Sequence, residues 1–203
     1  MKKSVLKSGI SFFLFLLAFI YNADATTYFV DAVNGSNTNS GLTATNSFMA
    51  LCVTAGKTAA GDTVFVMNGT YTNSAGNPAL TETHSGTAND WIVWMNYPGH
   101  SPVVSFNAWH GICIKGSYVE VNGFTVRGNN TNVTLELALV HPKSCNTPSG
   151  SYGLKFNGNG IYIDGRSPNV RIHHIAIKNC QVYECGGGGI AIIQPDYITL
   201  ENK

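Results

Sequence analysis

Short runs of alternating apolar and polar residues, parted by glycine and polar corners, fill the chain beyond its first 25 residues. The phrase Gly-Ile-x-Ile occurs at Gly111–Ile114 (GICI), Gly160–Ile163 (GIYI) and Gly189–Ile192 (GIAI). A second short strand follows each copy: Val119–Val121, Val170–Ile172 and Ile198–Leu200, at offsets of 8, 10 and 9 residues from the glycine. Copies too small to bury an apolar face alone read as rungs of a stacked solenoid. A third strand per rung is expected at Phe124–Val126 and Ile175–Ile177, which aligns FTVRG with IAIKN. Strands of three to five residues, two or three per repeat, describe an all-β parallel β-helix. Alternation sends Ile161, Ile163, Val170 and Ile172 inward and leaves Tyr162 and Arg171 outside.

Upstream, strands are expected at Thr26–Asp31, Val64–Met67, Trp91–Met95 and Val103–Phe106, with a turn at Tyr97-Pro98-Gly99. Trp91 and Trp94 differ by an odd number, so one of them belongs inside. Ser47–Ala60 reads as a helix capped by Ser47 or Asn46, with Phe48, Leu51, Cys52 and Ala55 on one side. Laid over the first rung, it would hide apolar side chains and unpaired strand groups. Residues 129–159 break the period with a strand at Val133–Val140 and an outward loop at His141–Tyr152.

The first 25 residues carry other information. Lys2, Lys3 and Lys7 precede the apolar run Ile10–Tyr21, and Ala23-Asp24-Ala25 follows. These are the parts of a secretory signal peptide, and the run is too short to span a bilayer. Cleavage is expected after Ala25, leaving residues 26–203 secreted, periplasmic or on the cell surface, with no membrane span. That removal leaves nine Lys/Arg against ten Asp/Glu, a balance without a field for nucleic acid or anionic lipid.

Five cysteines (Cys52, Cys113, Cys145, Cys180, Cys185) allow at most two bridges, with Cys180 and Cys185 able to meet across a turn and Cys145 able to bridge to another loop. None shows zinc spacing. Gly186–Gly189 reads as a tight corner, since no Lys-Ser/Thr follows to make a phosphate loop. Asn34, Asn68, Asn129 and Asn132 head Asn-x-Ser/Thr sequons.

Several segments together resemble the N-terminal part of secreted right-handed parallel β-helix proteins of the pectate-lyase superfamily. They are Tyr28–Gly41, Ala60–Tyr71, Trp91–Val104, Gly116–Gly128 and Pro195–Asn202. The resemblance implies a calcium-assisted lyase that cleaves uronic-acid polysaccharides by β-elimination. A non-catalytic carbohydrate-binding or cell-surface β-helix and a glycoside hydrolase are the alternatives. Relatives continue for more coils, so the domain is expected to be cut short at its C-terminus, or to oligomerise through its open last rung.

Lyase chemistry needs a cation to neutralise the sugar carboxylate and a base for the neighbouring proton. Asp164, Glu184 and Asp196 near rung edges are the candidate calcium ligands, although no Asp-x-Asp-x-Asp-Gly loop is present and a turn aspartate serves equally well for Asp164. Lys178 and the outward member of the His173-His174 pair, taken as His174, are candidate catalytic groups. Arg127, placed level with Lys178 to make a basic strip, and Arg166 are candidates for carboxylate contact. Tyr162 and Trp109 offer apolar faces for sugar rings.

Overall fold

The computed structural model describes residues 24–74, 76–140, 156–166 and 171–202. The leader through residue 23, Cys145 with its loop, and Val170 lie outside the described residues. The chain runs β1 (Thr27–Val30), α1 (Leu51–Ala55), β2 (Thr63–Val66), β3 (Thr70–Tyr71), β4 (Leu80–Glu82), β5 (Ile92–Asn96) and β6 (Val103–Ser105). It continues as β7 (His110–Ile114), β8 (Val119–Asn122), β9 (Thr125–Arg127), α2 (Leu135–Val140), β10 (Asn159–Asp164), β11 (His173–Lys178), β12 (Gln181–Tyr183), β13 (Ile190–Ile193) and β14 (Asp196–Glu201).

The strands form three parallel sheets. The first has the order β1-β2-β5-β8-β11-β14, the second β4-β7-β10-β13 and the third β3-β6-β9-β12. Successive coils therefore stack strand on strand, as a β-solenoid requires. Alternation fills the interior: Ile112, Ile161 and Ile190 are in register on the second sheet, as are Ile114, Ile163 and Ile192. Trp94, Val121 and Ile177 form a matching column on the first sheet, and Val104, Val126 and Val182 one on the third. Most of these side chains are fully enclosed, each contributing roughly 1.5–3 kcal/mol by its burial. Trp94 is inside and Trp91 half-exposed, as their odd spacing requires.

The repeat is real but its frame differs from the expected one. Ile175 and Ile177 pair with Val119 and Val121 on one side and with Ile198 and Leu200 on the other. The true partner of Val126 is Val182. FTVRG therefore aligns with CQVYE, and Ile172 lies in the corner before β11. A longer corner between β10 and β11 shifts the spacing, and three apolar-alternating segments in one rung offered two ways to choose the pair.

Three further expectations change. The helix predicted over Ser47–Ala60 is only Leu51–Ala55, because the backbone of Phe48 is committed to β1. Phe48 N–H donates to Phe29 O at 2.9 Å and Asp31 N–H to Phe48 O at 2.8 Å. The predicted strand at Val133–Val140 ends as the helix α2. Thr134 Oγ1 accepts the Leu137 N–H at 3.1 Å, and Leu-Glu-Leu-Ala favours helix once no neighbouring strand competes. Cys180 and Cys185 are both free, as are Cys52 and Cys113. Extended β12 lies between Cys180 and Cys185; five residues of strand span roughly 16 Å, far beyond the reach of a disulfide.

Candidate functional site

The outer side of the second sheet gathers the most chemistry. A Cβ at Gly111 would meet Phe106 and Val126, so Gly111 faces inward just as Ile112 does. Alternation is broken there, and His110 is left on the outer side with Cys113 and Tyr162. Its imidazole lies flat on the Tyr162 ring, with centroids 3.9 Å apart and planes 3° from parallel. The Arg166 guanidinium carbon also lies over the Tyr162 ring, 5.6 Å from its centroid.

Arg166 is fixed by Asp164 as well. Its Nε donates to Asp164 Oδ1 at 2.8 Å and its Nη2 to Oδ2 at 3.2 Å, while the Arg166 backbone N–H also reaches Oδ1. Lys115 Nζ stands 3.9 Å from Asp164 Oδ2. The Asp164 carboxyl is held below the usual carboxylate range, chiefly by the Arg166 side chain. Two cations against one carboxylate leave this spot net positive. Trp109, 40% exposed, borders it.

Thr81, Trp109, His110, Cys113, Lys115 and Arg166 line a concavity of about 330 Å³, and Thr83 continues it into a wider one beside Lys115, Asp164 and Arg166. Burial lowers the His110 pKa, so the imidazole is neutral near pH 7. Its Nδ1 is buried without a hydrogen-bond partner. Burial also pushes the Cys113 thiol up to about 11, which leaves it unreactive.

Of the residues singled out from sequence, Trp109, Tyr162, Asp164 and Arg166 come together here. Tyr162 is only 5% exposed, so it props up His110 and Arg166 and shows no face to a sugar. The others lie elsewhere. Lys178 is on the outer side of the first sheet, donating to Glu120 Oε2 at 2.7 Å; that bond raises its pKa and keeps it in the protonated form, the wrong state for a base. Arg127 is on the third sheet and pairs with Glu184 at 2.7 Å. The basic strip of Arg127 and Lys178 therefore does not exist. Asp196 pairs with Arg171 at 2.9 Å at the start of β14.

His174 occupies a corner of the first sheet in a left-handed backbone conformation (φ 57°), as do Tyr118 and Tyr197 in the neighbouring coils. Its ring is stacked between theirs, at 4.8 and 4.9 Å. It serves there as one tread of an aromatic ladder. Lys115 and His110 were missed. The signal was present: GICIK and GIYID are consecutive rungs, which puts Lys115 next to Asp164.

The chain's fold and repeat are matched over residues 28–194 by the family model described as Pel9A-like, right handed beta helix region. The chain belongs to this Pel9A-like family. Among solved structures it is similar to the GH136 lacto-N-biosidase from Eubacterium ramulus in its selenomethionine form, at 15% identity and a TM-score of 0.58. That match covers 84% of this chain and 30% of the other. A rhamnogalacturonan lyase matches at 18% identity and a TM-score of 0.52, over 87% of this chain and 50% of its own. The chain thus spans under a third of the first and half of the second, and at such identities the likeness is one of fold. A comparison with curated proteins gives no match.

Among the described residues, the calcium site expected from the pectate-lyase resemblance finds no matching donor set. Asp164, Glu184 and Asp196 lie on three different sheets' edges, each paired with an arginine. Among the described residues no group of three or more His, Cys, Asp or Glu is placed to hold a metal ion. Calcium takes six to eight oxygens; the groove offers one carboxylate, already doubly engaged.

Proposed function

We propose that the chain is the groove-bearing part of a secreted enzyme acting on uronic-acid polysaccharides by β-elimination. The observation that carries this reading is the exposed Trp109 bordering the Lys115–Asp164–Arg166 cluster in one concavity. An aromatic face packs against a pyranose ring, while Lys115 and Arg166 neutralise the carboxylate at C5 and so acidify the neighbouring C–H bond. His110, neutral and lining the same concavity, serves as the proton acceptor. A glycoside hydrolase needs two carboxylates about the scissile bond; among the described residues Asp164 is the single one lining this groove.

The reading extends to the rest of the chain. Residues 1–25 direct export and are removed. Helix α1, whose Leu51 and Ala55 join the core cluster, covers the first coil.

The test is ultraviolet absorbance of unsaturated uronide ends on pectate, alginate and chondroitin, beside a pull-down on the same polymers. Product formation that falls at least tenfold in His110→Gln supports the lyase. Retention on acidic polymers without product points to the non-catalytic binding β-helix. No retention on any polymer refutes the groove.

A further inference from the structure

The groove is built to hold a carboxylate without a metal, and we infer that Lys115 and Arg166 bind the uronate group directly, in a calcium-independent manner. This rests on the groove reading above. The disagreement between the family's expected calcium and the donor set here is the starting point. Calcium would have to take Asp164, which already accepts two bonds from the Arg166 fork and lies 3.9 Å from Lys115. A divalent cation bound to Asp164 would have to displace or stand beside two positive charges.

The same contacts suit an anion. Arg166 is held by the Asp164 carboxylate through Nε and Nη2 and by its contact with the Tyr162 ring. Tyr162 is in turn held by the flat His110 ring. A guanidinium fixed in this way loses little further side-chain freedom on binding. Its second edge, with Nη1, is not used by Asp164, and the side chain is 56% exposed. Lys115, 48% exposed, contributes a mobile ammonium from the adjacent coil. Asp164 then acts as a positioning residue: it aims the guanidinium and keeps the cluster at one net positive charge.

Strands β7 and β10 are adjacent in the second sheet, so the two cations stand one coil apart, roughly 5 Å along the axis. That separation lets both meet the two oxygens of one carboxylate. Trp109 lines the same concavity and offers an apolar face to the ring bearing that carboxylate. Because both cations are half-exposed, the attraction is screened by salt.

Calorimetric titration of the purified chain with a galacturonate trisaccharide and with its methyl ester tests the inference. The expected result is equal affinity in chelator and in millimolar calcium, several-fold weakening as salt rises, and about tenfold weaker binding of the ester. Lys115→Gln leaves the Arg166–Asp164 pair intact and is expected to weaken the acid form about five- to tenfold while leaving the ester unchanged. Lys178→Gln, on another sheet, is expected to change neither. Binding of the acid form only with calcium overturns the direct clamp and leaves the groove standing. So does equal binding of acid and ester. Failure of both sugars to bind overturns the groove itself.

Discussion

Glu82 is an inward-facing carboxylate in a column otherwise built from aliphatic side chains, level with Ile114. It is fully enclosed, and its oxygens are all spoken for. Thr58 Oγ1 and Trp94 Nε1 donate to Oε2 at 2.8 and 3.0 Å, and the His84 N–H donates to Oε1 at 2.8 Å. One side chain thus ties the stretch after α1 to the second coil. Glu82→Leu leaves the buried Trp94 Nε1–H without its acceptor and removes those of Thr58 and the His84 N–H, although Thr58 Oγ1 can still donate to Ala55 O. It should lower unfolding free energy by about 3 kcal/mol. Glu82→Gln keeps one acceptor and should cost about 1–2 kcal/mol. Urea denaturation of the two variants measures the difference.

The groove residues set a pH dependence of their own. The His110 pKa lies below its ordinary value of 6.5 in the folded chain, so the unfolded chain takes up that proton first. Its contribution is fully present above pH 6.5 and is lost as pH falls below it. Asp164, lowered from 3.8 by Arg166, contributes above that value and loses its share as pH drops further. Melting temperature followed by circular dichroism should therefore fall in two steps on acidification. His110→Phe keeps the stack on Tyr162 and should abolish the first step.

At the scale of the element, the recurrent glycine has a steric cause. A Cβ on Gly160 would sit 2.6 Å from the Gly189 carbonyl oxygen in the next coil and overlap Val182. One on Gly111 would lie 2.9 Å from the Gly160 carbonyl. Gly189 is on the last described coil, and its nearest neighbour would be 3.7 Å away. Gly160→Ala should thus destabilise by about 3 kcal/mol, whereas Gly189→Ala should stay within about 0.5 kcal/mol. Thermal unfolding of this matched pair reads out coil stacking directly. Equal effects would show that the glycine answers a need within its own strand.

At the scale of the molecule, the interior column becomes exposed at the last described coil. Ile190, Ile192 and Leu200 continue the inward rows of Ile161, Ile163 and Ile177, yet are 36%, 42% and 54% exposed. Strands β12, β13 and β14 are the outermost members of their sheets, with unpaired backbone groups beside these side chains. Such an edge accepts a further strand, from more coils of a longer protein or from a second copy of this stretch. Residues 26–203 taken alone should show concentration-dependent self-association in sedimentation velocity, and Ile192→Glu should shift that population to monomer without lowering the melting temperature. A monomer at all concentrations would rule this contact out.

Composition and alternation alone dictated short strands, a stacked repeat and an inward aliphatic column, because a period of two with glycine corners has few other solutions. The chemistry implied by the pectate-lyase resemblance brought Trp109, Tyr162, Asp164 and Arg166 forward as candidates. Tertiary structure decided the frame of the repeat: Val170–Ile172 and Ile175–Ile177 have the same local pattern, and only pairing with Val119–Val121 chose between them. It decided the partners of each charge, since Arg127 and Lys178 look equivalent in one dimension but sit on different sheets. It placed His110 on the outer side through a break in alternation at Gly111 that no local rule announces. Local pattern determines which way a strand's side chains point; which of them meet depends on the coil above and below.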